Sequence, residues 1–270
     1  MEEAAYPTLS AAMVENTSAC RLDMRFDRNR LDVMIFNPRE DNSLIYRRLN
    51  LTPDRDGSVL GSLESTVYDN PLLLSDFEKV NIITASDSFA VIPAGFTPEQ
   101  ASEFIDSPLL TPLDRLKAEI AFSVEPGILG FFNRAFVNPV ITHTLAPLTR
   151  YFSDRRRHGN TTSMFANVES DRLQVIIFDR HRLALANVYR YRAVSDAVYI
   201  ILSLRKMLGM DSDTDEILLS GDREPRMAVI NSLREFIPYV MPVIFPSAMF
   251  RMGRAAIDAP FDLTVLSLCE

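Results

Sequence analysis

The sequence predicts an α/β protein with mixed sheets and helices, built from two similar halves in tandem. The main observation is an order of elements that occurs twice: a strand after a polar turn, a further strand, an amphipathic helix and a last strand. One copy lies at 30–87 and the other, which is better defined, at 172–222. A chain of 270 residues is also long enough for two modest domains.

The strands of the two copies agree residue by residue where each copy begins. Residues 30–37 (RLDVMIFN) and 172–179 (RLQVIIFD) share arginine, leucine, valine, isoleucine and phenylalanine at matching positions. β-Branched and aromatic residues are frequent in both runs, and a short polar turn precedes each. Each run is therefore predicted to be the second strand of a hairpin. Third strands are predicted at 44–47 and 187–190.

The later elements of the two copies also correspond. Apolar residues recur at helical spacing in both, at Val59, Leu60, Leu63 and Val67 in the first and at Ala197, Ile200, Ile201, Leu204 and Leu208 in the second. A short apolar run then ends in a polar turn, at 82–87 and at 217–222. Similarity at a long offset is typical of an internal repeat, so we interpret the chain as two halves of one architecture.

Further elements surround these two copies. Alternation in 21–27 predicts a half-buried strand that carries its charges on the opposite face from its apolar residues. A capping box at 97–100 begins a short helix. Two inserted strands are expected near 116–136, at 118–123 and 128–132, without a counterpart in the second half.

These elements suggest a simple division of the chain. A helix at about 144–155 closes the first half. The expected parts are a loose leader at 1–18, a first half at 19–160 and a second half at 161–270.

Composition excludes several classes of protein. A formal net charge of −8 argues against general nucleic-acid binding, which depends on a basic surface. No apolar run reaches the roughly 18 to 20 residues of a membrane-spanning helix, and the acidic N-terminus does not resemble a signal peptide. Cys20 and Cys269 lie far apart in sequence and are expected to be free thiols in a reducing compartment, which favours the cytoplasm.

The order of elements, with the glycine-bearing turn 220–222 after the fourth strand of the second half, resembles the actin-like ATPase superfamily. In detail the chain resembles DUF3822, a family of uncharacterised Bacteroidetes proteins that looks like a degenerate member of that superfamily. Bacterial pilus-assembly and type II secretion proteins with actin-like domains are similar in architecture. The resemblance covers most of residues 20–245 and implies duplicated ribonuclease H-like halves.

Active members of the superfamily carry an Asp-x-Gly-Thr/Ser type of turn between the first two strands of each half. Glycine lets the backbone approach phosphate, and the aspartate holds a hydrated Mg²⁺. The first turn here is 27–30 (DRNR): Asp27 fits this pattern, but Asn29 replaces the glycine and Arg30 the hydroxyl residue. A phosphate turn without glycine would crowd a triphosphate.

The second half departs from the pattern in the same way. Its turn, 169–172 (ESDR), has an acid in place but no glycine, and the adenosine-binding glycine pair matches only at Gly221, because Asp222 follows it. If a cleft between the halves binds anything, the resemblance implies that its lining includes Asp27, Arg30, Glu169, Arg172, Gly221 and Asp222.

Rival chemistries are less well supported. A two-metal nuclease needs clustered acids, and the nominees are pairs from separate halves: Asp27, Asp87, Glu169 and Asp222. The histidines are scattered without metal-ligand spacing, at His143, His158 and His181, so no metal site is expected. The arginine run at 155–157 is interpreted as a solvated helix end rather than a phosphate site, since cations favour the negative pole of a helix.

We therefore interpret the chain as a non-catalytic binding or scaffold protein with a degenerate nucleotide site. It is expected to hold no cofactor and to work through protein partners, without nucleic acid and without a membrane span. The alternative is a weak nucleotide-binding protein, or an ATPase, with altered phosphate turns.

Overall fold

The computed structural model describes residues 9–10, 13–155, 161–180, 182–211 and 214–269. The chain divides into two compact units. Unit 1 comprises the described residues up to Thr111, together with Ile120–Thr144 and Pro246–Ala259. Unit 2 comprises Pro112–Glu119, the described residues of Leu145–Phe245, and those from Pro260 onward.

Strands and helices are interspersed along the described chain. The strands are β1 Arg21–Asp27, β2 Arg30–Phe36, β3 Ile45–Asn50, β4 Lys79–Thr84, β5 Phe89–Pro93, β6 Leu109–Leu113, β7 Ala118–Phe122, β8 Val140–His143, β9 Thr162–Val168, β10 Arg172–Asp179, β11 Arg182–Arg190, β12 Glu216–Gly221 and β13 Val240–Pro242. The helices are α1 Leu60–Tyr68, α2 Pro98–Ala101, α3 Pro126–Ala135, α4 Leu145–Arg155, α5 Val194–Met207, α6 Arg223–Leu233, α7 Ser247–Met252 and α8 Phe261–Leu266.

The two units repeat one strand order. The five-stranded sheets run β3-β2-β1-β4-β8 and β11-β10-β9-β12-β13. In each, the first strand pairs antiparallel with the second and parallel with the fourth. Val33 lies opposite Met24 and Arg47 in unit 1, and Val175 lies opposite Ala166 and Asn187 in unit 2. The expected fold class, two similar halves of mixed sheet with helices, is confirmed.

One face of each sheet packs on helices that lie between its strands in sequence. In unit 1, Phe26 of β1 meets Phe132 of α3 edge to face, with ring centroids 5.6 Å apart. In unit 2, α5 and α6 contribute buried side chains such as Ile201 and Val229 to one core with β9 and β10. Burying a large apolar side chain contributes about 1.5–3 kcal/mol, so these faces hold the helices in place.

The compact units are not continuous in sequence. Helix α4, from the first half of the chain, belongs to unit 2, where Phe152 stacks on Phe165 of β9 with centroids 4.3 Å apart. Segment Pro246–Ala259, from the second half, belongs to unit 1, where the carbonyl of Arg251 accepts a 2.8 Å hydrogen bond from the amide of Asn42. Segment Pro112–Glu119, also from the first half of the chain, belongs to unit 2 as well, so the units do not follow a linear division at residue 160.

Three expectations from the sequence are wrong. Residues 128–132 are not a strand but lie in α3, where Pro126 takes the first helical position and Ile128, Phe131 and Phe132 share a buried face at i, i+3 and i+4. The charged face of β1 is not solvated, because Asp23 and Arg25 are fully buried. The leader is not loose at Leu9, because this residue is buried and its amide donates to Asn70 Oδ1 at 2.9 Å.

The insertion in the first half is a small sheet. Strands β5, β7 and β6 pair in that order, and α2 precedes β6. Of the two strands expected near 116–136, the first is β7. The capping box that begins α2 is confirmed: Thr97 Oγ1 accepts from the amide of Gln100, and Gln100 Oε1 accepts from the amide of Thr97. Strand β6 was not expected.

Candidate functional site

The first hairpin turn is closed by charge pairs. Asp27 and Arg30 lie directly opposite each other at the ends of β1 and β2. Arg30 Nε is 3.5 Å from Asp27 Oδ2, and Arg25 donates to the same oxygen at 3.1 Å. The other oxygen of Asp27 accepts the amide of Asn29 at 2.9 Å. The carboxylate of Asp27 is therefore engaged by two guanidinium groups and by its own turn.

Arg30 connects this turn to a buried acid. Its Nε lies 3.0 Å from Oδ2 of Asp32, and Asp32 is fully buried. The other oxygen of Asp32 accepts from Arg48 Nε at 2.8 Å and from the hydroxyl of Tyr46 at 2.6 Å. Burial, and then the charge of Asp32, raise the pKa of Tyr46 well above its ordinary value. We call these groups, with Asp27 and Arg25, the Asp32 cluster.

Unit 2 has a neutral pair where unit 1 has two charged residues. Arg25 of β1 lies opposite Asp32 of β2. In unit 2 the corresponding residues are Asn167 and Gln174, and Asn167 Nδ2 donates to Gln174 Oε1 at 2.8 Å. Ser220 Oγ donates to Asn167 Oδ1 at 2.9 Å. The charged cluster is therefore not a requirement of the strand order itself.

The second hairpin turn is buried at its two ends, while Ser170 and Asp171 between them are exposed. Glu169 and Arg172 are both buried, and the amide of Glu169 donates to the carbonyl of Arg172 at 2.9 Å. The hydroxyl of Tyr191 donates to the carbonyl of Glu169. Burial raises the pKa of Tyr191 to about 12, with further contributions from Asp171, Asp222 and Glu169. No motif in the sequence points to Tyr191, although it directly follows the predicted third strand.

Gly221 has a structural explanation in unit 2. Its φ is +100°, and a Cβ there would lie 2.2 Å from the carbonyl oxygen of Val168. Gly221 pairs with Val168 across β12 and β9, and the amide of Asp222 donates to the same carbonyl at 2.8 Å. Close approach of two strands therefore requires glycine here, whether or not a ligand binds.

The nominated residues form two groups, one in each unit. Asp27 and Arg30 meet in the first turn of unit 1. In unit 2, the pairing of Val168 with Gly221 brings the turn 169–172 beside Asp222. Asp222 directly precedes α6, and Arg226 of that helix donates to the carbonyl of Gly221 at 3.3 Å. Each group is held by contacts within its own unit.

Metal and membrane motifs are not found in the part of the chain that the structure describes. There, no group of three or more histidine, cysteine or acidic residues could hold a metal ion, and no helix is long and apolar enough to cross a membrane. His143 is buried, with Nε2 2.9 Å from the carbonyl of Ser86 and its ring stacked on Phe89. His158, His181 and two of the three arginines of the run at 155–157 lie outside the described residues.

A family match follows the architecture. Residues 10–240 match the family described as "Protein of unknown function (DUF3822)". The chain belongs to the DUF3822 family. No functionally curated protein matches it.

Solved structures agree with this assignment. A Bacteroides thetaiotaomicron VPI-5482 protein, described as having an actin-like ATPase fold and unknown function, matches with a TM-score of 0.76 and 25% identity. The match covers 94% of this chain and 97% of that one. A chain of the PilM-PilN type IV pilus biogenesis complex matches with a TM-score of 0.58 and 12% identity, covering 93% of this chain and 98% of that one. This DUF3822 chain therefore has an actin-like ATPase fold.

Proposed function

We propose that this chain is a non-catalytic binding protein in which an actin-like fold has lost its nucleotide site. The observation that supports this most directly is the state of Asp27. In active members an aspartate at this turn holds hydrated Mg²⁺, but here its carboxylate already faces Arg25 and Arg30. Binding a hydrated divalent cation would require at least one guanidinium to withdraw from a partly buried site.

The electrostatics of the Asp32 cluster oppose that withdrawal. Arg30 also pairs with the fully buried Asp32, so moving it toward solvent would leave a buried carboxylate with fewer cations. Removing one partner from a buried ion pair costs about 3–5 kcal/mol. The residues at this turn thus do not fit a magnesium–triphosphate group.

The second turn supports the same proposal. Neither hairpin turn contains glycine, and the carboxyl-bearing residues around Tyr191 would repel a polyphosphate. Gly221, the one residue that matches the adenosine-binding pattern, is accounted for by its contact with Val168. Loss of nucleotide binding leaves the fold available for protein contacts.

Protein partners are the class of ligand that we favour. The pilus chain of the same fold was solved as part of a complex, which is a precedent for the fold and carries no partner over to this chain. The net charge of −8 disfavours nucleic acid as the partner. We also propose a location in the bacterial cytoplasm, which the free thiols Cys20 and Cys269 and the similarity to a Bacteroides protein support.

A thermal-shift series with ATP and Mg²⁺ tests the proposal. A ligand that binds the native state alone stabilises it by about 2.7 kcal/mol at a hundredfold excess over Kd. We expect no shift at millimolar ATP, with ADP and Mg²⁺-free samples as controls. A reproducible shift that requires Mg²⁺ would overturn the proposal in favour of a weak nucleotide-binding protein or ATPase with altered phosphate turns.

A further inference from the structure

The long edge strand of unit 2 differs from the other edges of the two five-stranded sheets. Strand β11 spans Arg182–Arg190 and lies at the end of the strand order, paired with β10. It contains no proline, and residues such as Ala184 are exposed. An edge of this length presents a row of backbone groups that another strand could pair with.

The other three edges are closed or short. At β3, Arg47 donates to the carbonyl of Tyr46 at 2.8 Å, and the amide of Leu44 just before the strand donates to the carbonyl of Met252. At β13, Pro242 cannot donate and Arg234 bonds to the carbonyl of Val240. Strand β8 has four residues. Strand β11 is therefore the edge best suited to strand addition.

The register of β11 shows which backbone groups face outward. The amide of Tyr191 donates to Asp171 on the β10 side, and residues along an antiparallel strand alternate in direction. Ala186 and Val188 therefore turn away from β10. In agreement, the amide of Val188 donates to the side chain of its neighbour Asn187, Oδ1, at 2.9 Å. An incoming strand would replace this local bond.

Charge indicates what kind of strand fits. Exposed arginines flank both ends of β11: Arg180, Arg182, Arg190 and Arg192. The side chain of Arg182 is 84% exposed, and its ion pair with Asp179 is loose, at 3.9 Å. Arg190 pairs more closely with Asp171, at 2.5 Å. Two copies of β11 paired antiparallel would set Arg182 opposite Arg190, and in-register parallel pairing would set Arg182 beside itself. Like charges directly opposite destabilise a pair, so self-association is disfavoured.

We propose that the outer edge of β11 is a docking surface for an extended protein segment with acidic residues at its ends, which adds to the sheet as a further strand. Backbone hydrogen bonds would supply affinity, and the terminal arginines would set charge preference and direction. This inference rests on the proposed function in one respect, that the chain works through protein partners.

The test uses a labelled synthetic peptide of the length of β11, with alternating valine and threonine and with glutamates at both ends. Control peptides carry lysines at the ends, or a central proline. We expect the acidic peptide to bind by fluorescence anisotropy and to slow amide exchange at Ala186 and Val188. Both control peptides should bind at least about tenfold more weakly, because one reverses the charge and the other interrupts the ladder.

Variants of the protein assign the site. Arg182→Glu should lower the affinity for the acidic peptide by about threefold to tenfold. Lys206→Glu makes the same charge change at an exposed position of α5 and should alter this affinity less than about twofold. Asn187→Ala should strengthen binding by about threefold, because the amide of Val188 no longer has a local acceptor. Thermal unfolding of each variant confirms that the fold is kept.

Three results would overturn the docking surface. The first is that the acidic peptide shows no binding at about 1 mM, and the second is that Arg182→Glu and Lys206→Glu lower its affinity equally. The third is that the peptide slows amide exchange away from β11 instead of on it. In those cases the arginines only protect the edge against aggregation. The titration is repeated with ATP and Mg²⁺. Nucleotide binding without peptide binding contradicts both proposals, whereas absence of both contradicts the docking surface alone.

Discussion

The Nε atom of Arg30 lies 3.0 Å from Oδ2 of Asp32, so a turn residue is paired with a fully buried carboxylate. The side chain of Arg30 is itself only 17% exposed. A pair of this kind differs from a surface ion pair, because its loss leaves a charge that water cannot fully solvate. The ion pairs at the first turn therefore continue into the buried part of the unit 1 sheet.

Replacing the acid at the centre of the Asp32 cluster should destabilise the protein strongly. Asp32→Ala removes the shared partner of Arg30, Arg48 and Tyr46, and we expect the free energy of unfolding to fall by about 3–5 kcal/mol in urea titrations. Glu78→Ala is the control, since its ion pair with Arg39 (3.3 Å) is exposed and should contribute about 0–1 kcal/mol. Equal losses for the two variants would show that the buried cluster adds no stability.

Gly221 should be required for stability rather than for ligand binding. In Gly221→Ala the new Cβ would meet the Val168 carbonyl at 2.2 Å, at a φ of +100°, so we expect a loss of about 3 kcal/mol or more. Gly61→Ala is the matched control, because that helical glycine has open space around it and alanine should stabilise α1 by about 0.5–1 kcal/mol. Circular dichroism melts would measure both, and a Gly221→Ala protein as stable as wild type would contradict the strand-contact explanation.

The hydroxyl of Tyr191 should make stability depend on alkaline pH. The pKa of this hydroxyl is raised from 10.0 to about 12. As the pH rises, the unfolded chain therefore loses this proton before the folded protein does. The contribution of the neutral hydroxyl is complete below pH 10 and is lost as the pH rises through 12. Between these values the wild type should lose more stability than Tyr191→Phe, which cannot ionise at this position. Parallel melts at pH 9 and about pH 11 check this, and identical slopes would be inconsistent with it.

At neutral pH the same variant tests the hydrogen bond. Tyr191→Phe leaves the buried carbonyl of Glu169 without the donor that it has in the wild type, and we expect a loss of about 1–3 kcal/mol. Tyr199→Phe is the control, since Tyr199 is 72% exposed on α5. If Tyr191→Phe left the free energy of unfolding unchanged, water would be replacing the hydroxyl as the donor to the carbonyl of Glu169.

The repeated strands could be predicted because their pattern is local. The runs that became β2 and β10 follow polar turns and are rich in β-branched residues, and these features act within a few residues of sequence. The capping box at Thr97 was predictable for the same reason. The aromatic and aliphatic residues of helix α3 favour a strand locally, whereas Pro126 and the spacing of its buried residues indicate the helix.

The candidate site was only partly predictable. The sequence nominated Asp27 and Arg30, which do face each other, but could not show that Asp32 is their buried partner. Alternating charged residues on β1 favour a solvated face, and burial of Arg25 depends on tertiary packing that no local pattern encodes. Tyr191 was missed because a tyrosine after a strand has no distinctive spacing.

Calorimetric titration of ATP with Mg²⁺ into the full chain tests the central claim most directly, since it measures binding without relying on stability. Because Asp27 is engaged by Arg25 and Arg30, we expect no saturable heat, which corresponds to a Kd weaker than about 1 mM. Magnesium-free ATP into the same protein is the control. A saturable, magnesium-dependent isotherm with a Kd below about 0.1 mM would contradict the account.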